Sequence, residues 1–336
     1  MNNDKISPYT NSVFEQPWWL DIVAPNQWEE ILVKEEGKVL ARWPIVKNRK
    51  GITMPDMTKT LGFWLSDIVL MHDKCFNERK RITKRLLEQL PENISIDICL
   101  DSKVDYFLPM FWMHFAIKPR IFYQINDLTD TDILYRNYPG IVRENIKKAQ
   151  KKLTVKSIDD IEILLVLLDK TFMRQNAKNP YSKELIRKIY YTSQKYNACK
   201  LLYAADDNDN IYSGILYVFD NNLFIALVGG TDPKYKNSGA FTLLLWEGIK
   251  LASRISKAFN FGGSMVEGIE NFLRQFGGEP MVYYQIIKKK KSLLDTVFNK
   301  CYNILKPRLK QVIGYNNWYR RQSIQTTLTI ERDRIL

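Results

Sequence analysis

Histidine and cysteine are scarce in this chain. Its 336 residues hold two histidines, His72 and His114, and four cysteines, Cys75, Cys99, Cys199 and Cys301, widely spaced. Neither histidine stands in an HxxxH or HExxH context, and no CxxC occurs. A metal site is therefore not expected, and the cysteines read as reduced and buried or inert. A Ser-His-Asp triad would depend on one of two histidines, with no GxSxG elbow to present the serine. Long apolar runs are also missing: none reaches the roughly 18 residues of a membrane span. The first twelve residues lack the charged-then-apolar pattern of a secretory signal. The expectation is a cytoplasmic protein.

Apolar residues make up 45% of the chain and aromatics 12%. That supports a sizeable core and about two domains. The net charge of +13 is unevenly placed. Residues 143–156 carry six basic residues against one acid, and residues 286–321 carry ten against one. The remainder is close to neutral. Local positive charge points to an anionic partner, such as phosphate, nucleic acid or a membrane surface. Solvated helix faces are the competing explanation.

In the second half, 153–156 reads as a strand and Ser157 as the cap of a helix carrying Ile158, Ile161, Leu165, Leu168 and Phe172 on one face. A second helix starts near Ser182. Three hairpin strands follow, 199–205, 211–219 and 223–228, with Gly229-Gly230 ending the third. Then come a helix over 239–256, a strand over 258–261, a helix over 266–276 and a strand over 281–287. The later strands, joined through helices, are expected to lie parallel. The first half repeats the tail of this order: strands 30–34, 38–46 and 67–71, helix 77–90, strand 94–100, helix 104–112, strand 117–125. The spacing predicts domains over 1–130 and 131–290 and a basic segment over 291–336.

The run from Phe259 to Pro280 is the most informative. An apolar strand ends in Gly262-Gly263-Ser264, a helix carries Ile269, Phe272, Leu273 and Phe276, and Gly277-Gly278 stops it. Such a turn presents backbone N–H groups to a ligand.

The element order resembles the GNAT acyltransferase fold. Phe14-Glu15-Gln16-Pro17-Trp18-Trp19-Leu20 looks like the opening of the Fem-type, tandem-GNAT proteins. Arg143-Glu144-Asn145-Ile146-Lys147-Lys148-Ala149 is similar to their Arg-x-x-Ile-x-Lys-Ala pattern, and the Phe259–Gly278 run is similar to their FDFxGS…GIxxFxxxFG segment. Asn260 departs from it, standing where Asp is usual, and no long coiled-coil insertion is present. The resemblance implies an α+β fold of two GNAT-like domains in tandem, each a mixed, mostly antiparallel sheet flanked by helices. It implies acyl transfer to an amine. Acyl-CoA is the expected donor, with no tightly bound cofactor. The expected acceptor is an amine of a sugar nucleotide or lipid-linked glycan in envelope or capsular polysaccharide biosynthesis. Alternatives are Fem-type transfer from charged tRNA to a peptidoglycan precursor, and a non-catalytic scaffold that binds an anionic glycan. DNA is not an expected partner.

GNAT enzymes hold the CoA pyrophosphate on backbone N–H groups at the start of the central helix. The matching run is Lys236-Asn237-Ser238-Gly239-Ala240-Phe241. Gly239 fits, Lys236 supplies charge, and Phe241 crowds the last small position; a plain helix start capped by Ser238 is the competing reading. The resemblance places the polarising backbone at Val228-Gly229-Gly230. Candidate bases are Asp232 and, preferred, Glu267. The first competes with a turn role before Pro233, the second with complementing the helix dipole. Tyr283 and Tyr284 are candidate acids, of which one faces the cleft by strand alternation; Tyr284 is the choice. Gly263 and Ser264 are expected to bind the substrate, and Arg143 and Lys147 on an amphipathic helix to meet phosphates of a nucleotide-linked or lipid-linked acceptor. The basic, aromatic-rich C-terminal segment suggests peripheral membrane contact.

Overall fold

The computed structural model describes residues 6–70, 75–174, 176–262 and 265–290. Residues 1–288 form one compact unit. Its strands are β1 (Trp28–Glu35), β2 (Lys38–Asn48), β3 (Gly51–Thr53), β4 (Trp64–Leu65), β5 (Ile96–Cys99), β6 (Ala116–Ile125), β7 (Thr154–Ser157), β8 (Cys199–Ala205), β9 (Ile211–Phe219), β10 (Leu223–Thr231), β11 (Ala258–Asn260) and β12 (Glu279–Lys288). Its helices are α1 (Pro17–Val23), α2 (Asp67–Leu70), α3 (Cys75–Glu88), α4 (Leu108–Trp112), α5 (Thr131–Asn137), α6 (Gly140–Gln150), α7 (Ile161–Arg174), α8 (Lys183–Lys195), α9 (Ala240–Ala252) and α10 (Glu267–Leu273).

The strands join one mixed sheet in the order β1-β2-β3-β5-β12-β6-β11-β10-β9-β8-β7, with β4 beside β2. The order reads alike from both ends. Antiparallel neighbours lead to one parallel pair in each half, β3 with β5 and β10 with β11. Each half then meets the last strand of the other. β12 pairs antiparallel with β5, and β6 pairs antiparallel with β11. The two last strands pair with each other over nine residues, from Glu279↔Gln124 to Ile287↔Ala116. The expected tandem, mostly antiparallel architecture is thus present, with final strands exchanged across the seam. The expectation that β12 lies parallel beside β11 is corrected: the first half's β6 takes that place.

Local chemistry explains the elements. The hairpin turns of the second half are held by aspartates, Asp206 accepting from the N–H groups of Asn208 and Asn210, and Asp220 from those of Asn222 and Leu223. Ser182 caps α8 by accepting from Leu185 N–H at 3.2 Å. Ser157 does not cap α7. It ends β7, and Asp160 instead accepts from Glu162 N–H at 2.9 Å. Residues 67–70, expected as a strand, are a single helical turn; their apolar run Ile68-Val69-Leu70 fits either state. Gly229-Gly230 lies within β10 instead of ending it.

The core packs on both faces of the sheet. On one, α7 and α8 cover β8–β10 together with Phe14, Trp18 and Trp19 from the chain's start. Trp18 stacks on Tyr196 with ring centroids 4.7 Å apart. On the other, α6 and α9 pack with Tyr217, Phe224, Phe259 and Phe276. In α6 the buried residues are Val142, Ile146 and Ala149, as their spacing requires.

Candidate active site

The second half carries a bulge and a splay. In the β9–β10 pair, Ala226 lies opposite Tyr217 and Val228 opposite Leu216, so Leu227 is an extra residue. The parallel partner β11 pairs only over Leu223–Ile225 against Ala258–Asn260. Asn260 Oδ1 then accepts from Gly262 N–H at 2.7 Å. That turn holds Gly262 at φ 83°, where a Cβ would sit 2.4 Å from the Ala226 carbonyl oxygen. Asn260 is therefore a turn residue in this position, and an aspartate would supply the same acceptor. Gly263 and Ser264 lie outside the described residues.

The start of α9 is tightly covered. Gly239 has φ 77°, and a Cβ there would sit 2.6 Å from the carbonyl oxygen of Asn145 in α6. Ala240 N–H donates to Ser238 Oγ at 3.2 Å. Lys236 is exposed. Phe241 turns toward β10, its ring 2.8 Å from where a Gly229 Cβ would stand, and it meets Phe272 of α10 at 6.1 Å. Gly230 faces the opposite side of the sheet, against the backbone of Leu167 and Leu168. Arg143 and Lys147 lie on the covering helix α6: Arg143 donates to the Arg136 carbonyl at 3.3 Å, and Lys147 is exposed.

The candidate bases are differently placed. Asp232 accepts from Lys170 Nζ at 2.5 Å and from Lys234 N–H at 2.9 Å. The Lys170 bond holds its carboxyl below the usual range, which weakens it as a base. Glu267 opens α10 and is exposed. One turn on, Glu270 accepts from the buried Tyr123 hydroxyl at 2.5 Å. Tyr284 packs on Phe107, with centroids 4.8 Å apart. It does not line the seam cleft; Tyr283 does, because successive strand residues face opposite ways.

That cleft lies where the two halves meet, beside the splay. Its walls include Ser12, Phe14, Lys59, Thr60, Asp101, Ser102, Phe122, Ile225, Asn260, Gly262 and Tyr283, around a cavity of about 40 Å³. Asp101 is 6% exposed. It accepts from Lys103 N–H at 3.0 Å and from the Thr60 hydroxyl at 3.3 Å. Burial nonetheless pushes its carboxyl up. Burial pushes the Lys59 ammonium down, and raises the Tyr283 phenol. Behind them Glu15, fully buried, accepts from Asn11 N–H at 2.6 Å, Asn11 Nδ2 at 3.2 Å and Gly62 N–H at 3.2 Å. Burial and the charge of Asp101 push Glu15 up to about 8, against the Asn11 bonds and Arg42. A raised carboxyl and a lowered amine lining one cleft favour proton transfer near neutral pH.

Lys59 and Asp101 line the cleft without having been candidates from the sequence, and of the two candidate tyrosines Tyr283 lines it. The available signal was Asp101 directly after the apolar strand β5, in a position where a charge is seldom buried without purpose. Among the described residues, no group of three or more His, Cys, Asp or Glu side chains is placed to hold a metal ion. No described helix is long and apolar enough to cross a membrane.

The family description "Acetyltransferase (GNAT) domain" matches residues 141–270. No curated protein sequence matches the chain. Among solved structures, FemX superposes with a TM-score of 0.63 at 14% identity, over 82% of this chain and 92% of that one. A conserved protein of unknown function from Bacteroides thetaiotaomicron gives 0.52 at 11% identity, over 80% and 87%. The C-terminal domain of a putative lysylphosphatidylglycerol synthetase from Agrobacterium fabrum gives 0.50 at 9% identity, over 83% and 89%. At these identities the likeness is one of fold. The chain thus has a GNAT, Fem-like fold, and its residues 141–270 match the description of a GNAT acetyltransferase domain.

Proposed function

We propose that the chain transfers an acyl group from an activated donor to an amine of a sugar nucleotide or lipid-linked glycan in envelope or capsular polysaccharide assembly. The observation that supports the chemistry best is Asp101, a buried carboxyl with raised proton affinity, beside Asn260–Gly262 at the β10–β11 splay. In this reading the amine nitrogen attacks the donor carbonyl carbon. The new N–C bond forms as the bond to the leaving sulfur or oxygen breaks. Asp101 takes the proton released by the amine, and Tyr283 returns one to the leaving group. Backbone N–H groups around the Leu227 bulge and Gly229 polarise the carbonyl. Lys59 offers a donor that steadies the charge built up between them. Arg143 and Lys147 act more remotely, as attraction for an anionic acceptor. Glu267 and Asp232, which do not line the cleft, take no direct part in this reading.

A second reading, transfer from charged tRNA, is favoured by one observation. Asn145 and Phe241 crowd the start of α9, where a CoA pyrophosphate would be held. The notion of a scaffold remains the reading if no donor engages.

The test incubates the full chain with acyl-CoA thioesters, or with aminoacyl-tRNA, in the presence of amino-sugar nucleotides, and weighs the products by mass spectrometry. Thermal stabilisation reads donor binding in parallel; a ligand at a hundred times its Kd adds about 2.7 kcal/mol. N-acylated sugar from a thioester supports the first reading. Product or stabilisation only with charged tRNA moves the assignment to the second, and silence from both donors contradicts acyl transfer.

A further inference from the structure

Next to the seam cleft, but with lining residues of its own, lies a larger polar cavity of about 280 Å³, close to the lower size limit of ligand pockets. Two residues of α3, Arg79 and Thr83, are one turn apart and both line it. Thr83 is 1% exposed, and its hydroxyl has no partner among the described residues. Arg79 keeps a bond to Asp105 through one guanidinium nitrogen, while its Nε is buried and also without a partner. Buried donors left unpaired are costly, so two on one wall of one cavity call for an acceptor that enters it. Lys103 lines the same cavity, its ammonium on the Asn11 carbonyl at 3.2 Å. Asp67 also lines the cavity and Asp105 pairs with Arg79, so the two cations are balanced by two acids, and the unpaired donors rather than net charge draw a ligand in.

Aromatic rings line the cavity and cover the neighbouring surface of α3 and α4. Tyr106 lines the cavity, lies under the Arg79 guanidinium at 5.6 Å, and is edge-packed by the exposed Phe76 at 6.0 Å. Lys80 sits 5.0 Å over Trp112, which is exposed together with Phe111 and Leu108. Trp64 and Tyr106 beside unpaired donors on the wall of one cavity suit a ligand with an oxygen-rich head and an apolar body.

We propose that this cavity binds the phosphate of an amphiphilic phosphate ester. Arg79 Nε, Thr83 Oγ and Lys103 Nζ donate to its oxygens, and the aromatic rings meet its apolar part. A tetrahedral oxyanion accepts from all three donors at once. The inference stands apart from the acyl-transfer reading, since none of these residues belongs to the seam cleft.

The test uses the full chain in calorimetry with phenyl phosphate, and in flotation with phosphatidylcholine vesicles with and without phosphatidic acid. The wild type binds phenyl phosphate saturably, and Arg79→Gln weakens it by roughly tenfold or more. Thr83→Val raises the melting temperature, because an unsatisfied hydroxyl is gone, yet weakens phenyl phosphate by roughly threefold or more. Arg254→Gln, at an exposed site elsewhere, changes neither. Vesicle binding that needs phosphatidic acid and fails in Arg79→Gln identifies a lipid as the source; phenyl phosphate binding without vesicle preference identifies a soluble ester. No saturable binding of either probe overturns the proposal. So does binding by Thr83→Val as tight as the wild type's, a variant that keeps the test decisive even if Arg79→Gln fails to fold.

Discussion

The start of α9 and the seam cleft were built from different materials. At α9 a glycine, a serine and a lysine stand in the order expected of a phosphate loop, yet the neighbouring helix and two phenylalanines fill the space around them. At the seam the motifs supply only Phe14, Asn260 and Gly262, yet a carboxyl and an amine outside any motif line the same cleft with their proton affinities pushed toward one another. A sequence pattern specifies backbone shape. Reactivity needs shape together with desolvated charge, and of these two regions the cleft has the desolvated charge.

The largest expected effect separates the polar interior of the first half from the apolar interior of the second. Glu15 is pushed up to about 8, above its ordinary 4.5. Between those values the folded state keeps a proton that the unfolded state has released. Stability is therefore full below about pH 4.5 and falls as pH rises toward 8, by an amount on the order of a few kcal/mol. Denaturant melts from pH 5 to 8 read this slope. Glu15→Gln flattens it, while a flat wild-type profile removes the buried charge from the comparison.

Next comes Gly239→Ala. A left-handed alanine costs about 1–2 kcal/mol, and overpacking against Asn145 adds roughly 1–3 kcal/mol. Chemical denaturation measures the sum. A neutral outcome means that α6 does not press on the α9 start, and the phosphate loop is then open after all. Phe241→Ala has a smaller effect on stability, about 2 kcal/mol for a half-buried ring. Its informative readout is acyl-CoA affinity by calorimetry. Occlusion by Phe241 predicts tighter binding in the variant, and unchanged affinity counts against it.

The second half was the more legible. Strands β8 and β9 match their sequence bounds because Asp206 and Asp220 mark the turns with side chains that bond the adjacent backbone. The first half hid more. β3 and β4 have three and two residues, too few for any periodicity. The strand exchange was illegible for another reason. β12 is a good strand in sequence, but its partners β5 and β6 lie more than 150 residues away, and alternation does not encode distance. The same distance hid the site. Lys59, Asp101, Asn260 and Tyr283 become neighbours only when the last strands cross the seam. Within that strand alternation puts one tyrosine toward the cleft, and Tyr283 is the one that lines it.

The central claim is that chemistry resides at the seam and not beside the α9 loop. Asp101→Asn and Asp232→Asn, assayed side by side with the donor and acceptor pair that gives product, test it most directly. The account predicts a loss of roughly 100-fold or more in kcat for Asp101→Asn, as for removal of a general base, with Asp232→Asn within a few fold of the wild type. Near-wild-type turnover by Asp101→Asn, with Asp232→Asn inactive though folded, would contradict it.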